Sequence, residues 1–554
     1  MSNAKFLAIV VMLLSAMAWM MVSSVRQESQ TWDEGIHLAA GYSYWKTGDY
    51  RMNPEHPPLG KLLNAIPLLW LNPPLPLNHS SWRTADEFLF GRQFLYYGPD
   101  SPRQMLFRAR MVTVALTLLL GLCLALWTRT YFSDWVAIAV LAFFCFDPTV
   151  IAHGRYVTTD LVMALTSFLA VAAWLSWLER GGHWRLPAAG FALGLAMASK
   201  YSWPFLLVVF PLIALAIRAP WKRAVFGLPA AIVVGGMVVA ATYAPVAVKL
   251  LPATRSYRTA HPEAILLSKA IEGTFEAETP LGQAASWASR RFGIQDHPYL
   301  AGILKHAVHA RFGHPSYLLG QVSDYGWWYY FPVALAVKEP VGLLLGVMLC
   351  LCTGLTMWRR SHALQLAGMV VAIYLTFAIL ASINIGIRHL LPLLPFLYVV
   401  IAATLFERWP RILLACVLLM AAETTWWHPH YLPFFNLFAG GAQNGPRYLA
   451  DSNLDWGQDF ERLRDWRDAN LGSDHLCLSY FGGASVEYYG MAGSPVPSTD
   501  DAEGREEVDC IAVVSATLLV GAYDKPRTFQ WLRERKPWGK VGYTYYLYDL
   551  RKKR

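Results

Sequence analysis

The feature that most limits what this chain can fold into is its series of apolar runs. A helix needs about 20 residues to cross a hydrocarbon core roughly 30 Å thick. Eleven candidate segments can be read, at about 5–25, 106–127, 134–152, 158–178, 187–200, 202–217, 224–248, 340–358, 363–382, 389–406 and 411–427. Composition agrees. Of the 554 residues, 55% are hydrophobic and only 15% charged, where a soluble chain carries about 25% charged residues. A soluble enzyme, a disordered chain and a disulfide-framework miniprotein are excluded. A small pore is excluded too, because large polar segments lie outside the runs. The first run has two readings, a cleavable signal peptide or an anchor. Its length and its lack of a small-x-small cleavage site favour the anchor.

Basic residues orient the runs. With the N-terminus cytoplasmic, the inner loops hold Arg129; Arg180 and Arg185; Arg218, Lys222 and Arg223; Arg359 and Arg360; Arg408 and Arg411. The short outer loops hold one basic residue each: Arg155, Lys200 and Arg388. This is the cytoplasmic bias of Lys and Arg expected of a multi-pass protein, and it also accounts for the net charge of +9 without nucleic acid. Three large pieces, 26–105, 249–339 and 428–554, then share the outer face. The expected fold is a polytopic α-helical membrane protein of about 11 transmembrane helices. Its membrane unit covers 1–428, and a small extracytoplasmic α/β domain covers 429–554.

That domain shows in three strand-like stretches rich in β-branched and aromatic residues, "HLCLSYFG", "DCIAVVSATLLV" and "VGYTYYLYDL". An amphipathic helix is expected over "DWGQDFERLRDWRD", with Phe460, Leu463 and Trp466 on one side. Of seven cysteines, five fall in apolar runs. Cys477 and Cys510 lie in two of the strands, and could form a disulfide if those strands are neighbours in an oxidising exterior.

Polar residues gather at the outer ends of the runs. The densest cluster is "TWDEGIHLAAGYSYWKTGDYRMNPEHPPLGKLL". Asp33 and Glu34 follow the first run closely, where a carboxylate can act as general base on a hydroxyl. The competing reading is a cap for a helix over 34–46. His37, His56 and Lys61 stand nearby, and 59–72 is too short to span, so it lies at the interface. A second cluster, "DPTVIAHGRYVTTD", supplies Asp147, His153, Arg155 and Asp160. A third, "SINIGIRHLLPLLPF", places Arg388 and His389 at the outer start of a run, where a guanidinium and a helix N-terminus suit a phosphate. Lys200 and Lys338 are further outer cations, and interface snorkelling is the alternative for Lys61 and Lys338. No GxxxxGK[ST] loop occurs, so the energy must come from an activated substrate or a gradient. Carboxylates, phosphate-suited cations and a membrane-level site together suit a polyprenyl-phosphate sugar.

The chain resembles the GT-C membrane glycosyltransferases, and most closely glycosyltransferase family 39, the dolichyl-phosphate-mannose-protein mannosyltransferases and their bacterial relatives. The resemblance is carried by "WDEGIHLAAGYSYWKTGDYRMNPEHPPLGKLL", "AHGRYVTTD", "YYFPVALAVKEP", "NIGIRHLLPLLPF" and "DSNLDWGQDFERLRDW". It implies an inverting transfer of a sugar, mannose or another hexose or pentose, from a lipid-linked phosphate to an acceptor on the outer face of the cell (inner) membrane. It casts Asp33 as catalytic base, with Glu34 and Asp160 beside it. His56, Lys61, Arg155, Lys200, Lys338, Arg388 and His389 are the expected donor-phosphate group. Asp455 with Gln458 is expected as a capping box or an acceptor contact. The partners implied are the donor, a glycan, lipid or protein acceptor, and membrane lipids. No β-trefoil repeat is seen, which counts against a protein acceptor. A divalent metal on the acidic residues stays open, with no readable ligand set. The alternative function is a transporter or flippase of a lipid-linked sugar. A transporter shows inverted repeats and mid-membrane polar residues, and the polar residues here gather at one face.

Overall fold

The computed structural model describes residues 1–244, 283, 298–353, 361–472, 475–523 and 528–552. Most of the expected loop 249–339, the ends of the 224–248 and 340–358 runs, and Arg359 and Arg360 lie outside the described residues.

Each of the eleven runs contains a helix. Among the described residues five helices are long and apolar enough to cross a membrane: Asn3–Val25, Pro102–Tyr131, Asp160–Arg180, Trp221–Thr242 and His362–Leu380. Others are shorter, among them Asp134–Cys145, Arg185–Met197, Phe205–Ala216 and Leu394–Arg408. These stop short at one common end. There the chain leaves the α-helix to place Asp147 and Lys200 in short non-helical links and Arg388 in the 3-10 turn Ile387–Leu390 before the next α-helix begins. Apolar residues of the short helices, such as Leu141 and Phe144, are buried, and the lipid-facing flanks of the longer ones show as exposed Met12, Leu119 and Met237. Arg185–Met197 and Trp221–Thr242 approach through Gly190, Gly194 and Gly235, where an added Cβ would meet Ala231, Val234 and Val238. Small residues at such contacts let backbones close up.

Two polar layers cap the bundle. In one, the N-terminal ammonium pairs with Asp134 at 3.2 Å, Arg129 with the same Asp134 at 2.7 Å, and Arg129 donates to Asn3. The Tyr131 hydroxyl donates to Glu179 at 3.0 Å, and Arg223 donates to the Leu178 carbonyl. These are the ends expected to be cytoplasmic. The other layer holds Glu28, Asp33, Asp160, Lys200 and Arg388, and the 451–456 segment packs onto it.

The first loop forms the helix Glu34–Thr47, as expected for 34–46, ending at Gly48 in the left-handed region. The expected interfacial stretch 59–72 is two short helices, Leu59–Ala65 and Leu68–Leu71, with Trp70 exposed. Gly41 lies against the Lys61 backbone, so only a glycine lets these two segments cross.

The C-terminal region carries a four-stranded sheet in the order β3 (Leu476–Ser479), β4 (Ile511–Ser515), β6 (Tyr545–Asp549), β5 (Gly539–Val541). The β3–β4 pair is parallel and the other two pairs are antiparallel. A separate hairpin joins β1 (Ser316–Leu318) to β2 (Gln321–Ser323). Cys477 and Cys510 form a disulfide between β3 and the residue before β4. The helix here is Phe460–Asn470, burying Phe460 and Leu463, and it starts five residues later than the expected stretch. Asp455 and Gln458 therefore cap no helix. Asp455 accepts from the Thr517 N–H at 2.9 Å, and Gln458 bonds to the Trp456 N–H and the Leu454 carbonyl. Asp455 holds the loop to the sheet domain and Gln458 braces the loop on itself, and burial pushes the Asp455 carboxyl up to about 7.

Candidate active site

Four residues from separate parts of the chain meet at the polar layer. Asp33 stands at the start of Glu34–Thr47, but its side chain makes no cap bond. Its Oδ2 instead accepts from Arg388 Nη1 at 3.0 Å. Asp160, first residue of Asp160–Arg180, accepts from the same Nη1 at 3.2 Å and from the Lys200 ammonium through its other oxygen. Arg388 is anchored from the other side: Nε donates to Ser452 Oγ at 3.2 Å, and the guanidinium lies 4.4 Å from the Trp456 ring centroid. Burial opposes its charge, but the Asp160 and Asp33 carboxylates hold the guanidinium protonated well above its ordinary range. Exposure separates the two acids. The Asp33 side chain is 21% exposed and that of Asp160 is 2%. Arg388 Nη2 makes no hydrogen bond to the described residues, so this edge of the fork is available to an anion.

These groups border a cavity of about 1000 Å³. Asp33, His37, His56, Lys200, Arg388 and His389 form one part of its lining. Phe205 and the Tyr374, Phe377, Ala378 and Leu380 end of His362–Leu380 form an apolar part from two bundle helices. The C-terminal domain contributes Tyr480, Phe481 and Tyr523. One charged pole and one apolar wall facing the membrane helices make a space suited to an amphiphile.

Several expected phosphate ligands are used up by the protein itself. Lys61 is buried, its ammonium donating to the Tyr44 hydroxyl and the Asn53 and His56 carbonyls at 2.6–3.0 Å, and burial brings it down to about 7. Lys338 donates to the carbonyls of Leu432, Phe434 and Asn453, and is likewise brought down to about 7 by burial. It braces the 432–453 segment. Arg155 is fully buried and pairs with Glu28 at 2.8 Å. None of the three lines the cavity, so the expectation that they grip a phosphate is corrected: their hydrogen-bonding capacity is spent on backbone and carboxylate partners. Glu34 is also withdrawn from the chemistry. Burial alone would raise its carboxyl; the Arg110 guanidinium, bonding both oxygens at 2.6–2.8 Å, outweighs this and holds it below the usual range. It also accepts from the Thr31 and Val157 N–H groups. Removing one partner of such a buried pair costs about 3–5 kcal/mol, so Glu34 fixes the position of its neighbour Asp33.

His56 and His389 line the cavity, and burial holds the His56 imidazole well below its ordinary value. His37, bonded to the Val157 carbonyl at 3.1 Å, is brought down to about 4 by burial. Neutral imidazoles serve as hydrogen-bond donors rather than as phosphate charges. Lys200 and Arg388 are then the cations of the expected set that face the cavity.

Three parts of the site escaped the sequence reading. Asp451, at positive φ, lines the cavity and accepts from the Tyr523 hydroxyl. It lies in the conspicuous "DSNLDWG" motif, where the sequence pattern points instead to Asp455 four residues on. Trp32, Phe481 and Tyr523 stack in sequence at 4.8 and 5.0 Å between ring centroids, joining the first loop to the C-terminal domain beside Asp33. Glu55 pairs with His309 on the helix Pro298–Phe312. Among the described residues no group of three or more His, Cys, Asp or Glu could hold a metal ion.

Residues 9–228 match the family model described as dolichyl-phosphate-mannose-protein mannosyltransferase. The resemblance to that glycosyltransferase family is borne out over this stretch. No curated protein sequence matches the chain. Among solved structures, the chain is similar to ArnT from Cupriavidus metallidurans bound to undecaprenyl phosphate, at 13% identity and a TM-score of 0.47, covering 98% of this chain and 99% of that one. It is similar to the S. cerevisiae protein O-mannosyltransferase Pmt1-Pmt2 complex bound to the sugar donor, at 17% identity and 0.32, over 46% of this chain and 34% of that one. The Archaeoglobus fulgidus oligosaccharyltransferase matches at 14% and 0.40, over 88% and 57%.

Proposed function

We propose that this protein transfers a sugar from a polyprenyl-phosphate donor to an acceptor hydroxyl on the outer face of the cell membrane. The observation that carries the reading is the placement of Asp33. It is the more exposed carboxylate of the Asp33–Arg388–Asp160–Lys200 network, at the charged pole of a cavity whose other wall is apolar. The acceptor O–H gives its proton to Asp33 as its oxygen bonds to the anomeric carbon. The bond from that carbon to the phosphate oxygen breaks, and the lipid phosphate leaves with the electron pair. Arg388, through Nη2, and Lys200 meet the developing charge, so the leaving group needs no strong acid. The polyprenyl chain lies along Phe205, Phe377 and Leu380. Asp160 holds both cations in place. The membrane unit 1–428 and the domain 429–554 act together, since the second contributes Asp451, Tyr480, Phe481 and Tyr523 to the cavity lining. The sugar is mannose or another hexose or pentose, and the acceptor a glycan, a lipid or a protein.

Purified protein incubated with polyprenyl-phosphate sugars and candidate acceptors should yield glycosylated acceptor and free polyprenyl phosphate by mass spectrometry. Movement of intact donor across vesicles with no transfer would instead support the flippase reading. The topology has its own test. Reporter fusions after residues 80 and 470 should behave as exported, and a cytoplasmic signal at either point overturns the scheme.

A further inference from the structure

We propose a second anion site, distinct from the catalytic cavity, that takes the phosphodiester headgroup of an anionic glycerophospholipid. A cavity of about 370 Å³ lies between the last turn of Asn3–Val25, the first turns of Pro102–Tyr131, and Glu461 of the Phe460–Asn470 helix. Its charged lining is Arg26, Arg103 and Arg110 with Glu28 and Glu461.

The inner charges are already matched. Arg110 is paired with Glu34, Glu28 with Arg155, and Glu461 accepts from the Tyr489 hydroxyl at 3.0 Å. Among the described residues Arg26 and Arg103 have no carboxylate partner. Arg103 donates one bond, to the Arg26 carbonyl at 2.8 Å, and the Arg26 guanidinium stands over the Phe107 ring at 5.3 Å. Both side chains are exposed. They stand at the ends of two apolar helices, on the side opposite the cytoplasmic layer and against the bias of Lys and Arg toward that layer. The same two helices leave Leu7, Val11 and Met12, and Leu119 and Leu126, exposed below this level. Among the described residues these apolar side chains stay uncovered, as they do where acyl chains lie against a helix. The two free guanidiniums thus stand where the phosphate of a bound lipid lies when its acyl chains follow the helices. An anionic headgroup completes their charge, whereas a zwitterionic one brings its own cation.

The inference is independent of the sugar-transfer reading. It is tested on the full-length protein in nanodiscs containing equal phosphatidylglycerol and phosphatidylcholine, extracted and measured by native mass spectrometry. Wild type should retain phosphatidylglycerol in preference to phosphatidylcholine. The double variant Arg26→Gln with Arg103→Gln should lose this preference by about 30-fold, two cations at about 1 kcal/mol each. Arg26→Lys with Arg103→Lys should keep part of it, and Arg83→Gln, an exposed control elsewhere on the first loop, should keep all of it. Equal retention of both lipids by wild type, or undiminished preference in the double glutamine variant, overturns the proposal. So does displacement of phosphatidylglycerol by millimolar inorganic phosphate, which would make the site one for free anions.

Discussion

Asp33→Asn is expected to lower turnover by about 10²–10⁴-fold, the usual contribution of a positioned general base, while leaving the fold and donor affinity close to wild type. The asparagine keeps the shape of the side chain and one oxygen able to accept from Arg388. Arg388 also retains Asp160 at 3.2 Å and Ser452 at 3.2 Å, so the phosphate-facing fork stays in place. What is lost is a carboxylate able to take a proton from a hydroxyl in the cavity. Turnover and melting temperature measured together on detergent-purified protein separate these effects. Near-normal turnover would remove Asp33 from the mechanism and throw the role onto Asp160 or Glu34. Both are buried and already committed, Asp160 to Lys200 and Arg388, Glu34 to Arg110.

Arg388→Ala is the other large effect, of a different kind. Deleting the guanidinium removes the shared partner of Asp33 and Asp160 and leaves two like charges close together. Asp160 keeps Lys200, but Asp33 loses its ion pair. Losing a preorganised donor to the leaving phosphate costs about 10²–10³-fold in rate, and donor affinity should fall with it. Arg388→Lys should restore only part of this. An ammonium is a point charge that cannot reach Asp33, Asp160, Ser452 and a phosphate oxygen at once. A titration of donor binding distinguishes the roles: unchanged affinity in Arg388→Ala would reduce the residue to a headgroup anchor.

Much of this arrangement was legible in the sequence, because membrane proteins write their topology in composition. The apolar runs, each of which holds a helix, the Glu34–Thr47 helix and three of the four strands of the sheet follow from local pattern. So does the gathering of Asp33, Asp160, Lys200 and Arg388, since each stands at the same end of its run. What local pattern could not provide was the allotment of partners. Lys61, Arg155 and Lys338 look like outer cations by position, and only packing reveals that each is consumed by carbonyls or by Glu28. Arg110, which fixes Glu34, lies inside an apolar run 76 residues away. Asp451 was hidden for a related reason: the 455–459 stretch resembles the start of a helix and draws the reading to Asp455, but Thr517 and Trp456 hold these residues in a loop, and the helix begins at Phe460.

The central claim is a single displacement at the anomeric carbon, with Asp33 as base and a lipid phosphate as leaving group. The measurement that tests it most directly is the anomeric configuration of the product, read by proton NMR after reaction with a polyprenyl-phosphate sugar of defined anomer. The account predicts clean inversion with one polyprenyl phosphate released per sugar transferred. Retention of configuration would require a covalent glycosyl intermediate and a second displacement, and would contradict it.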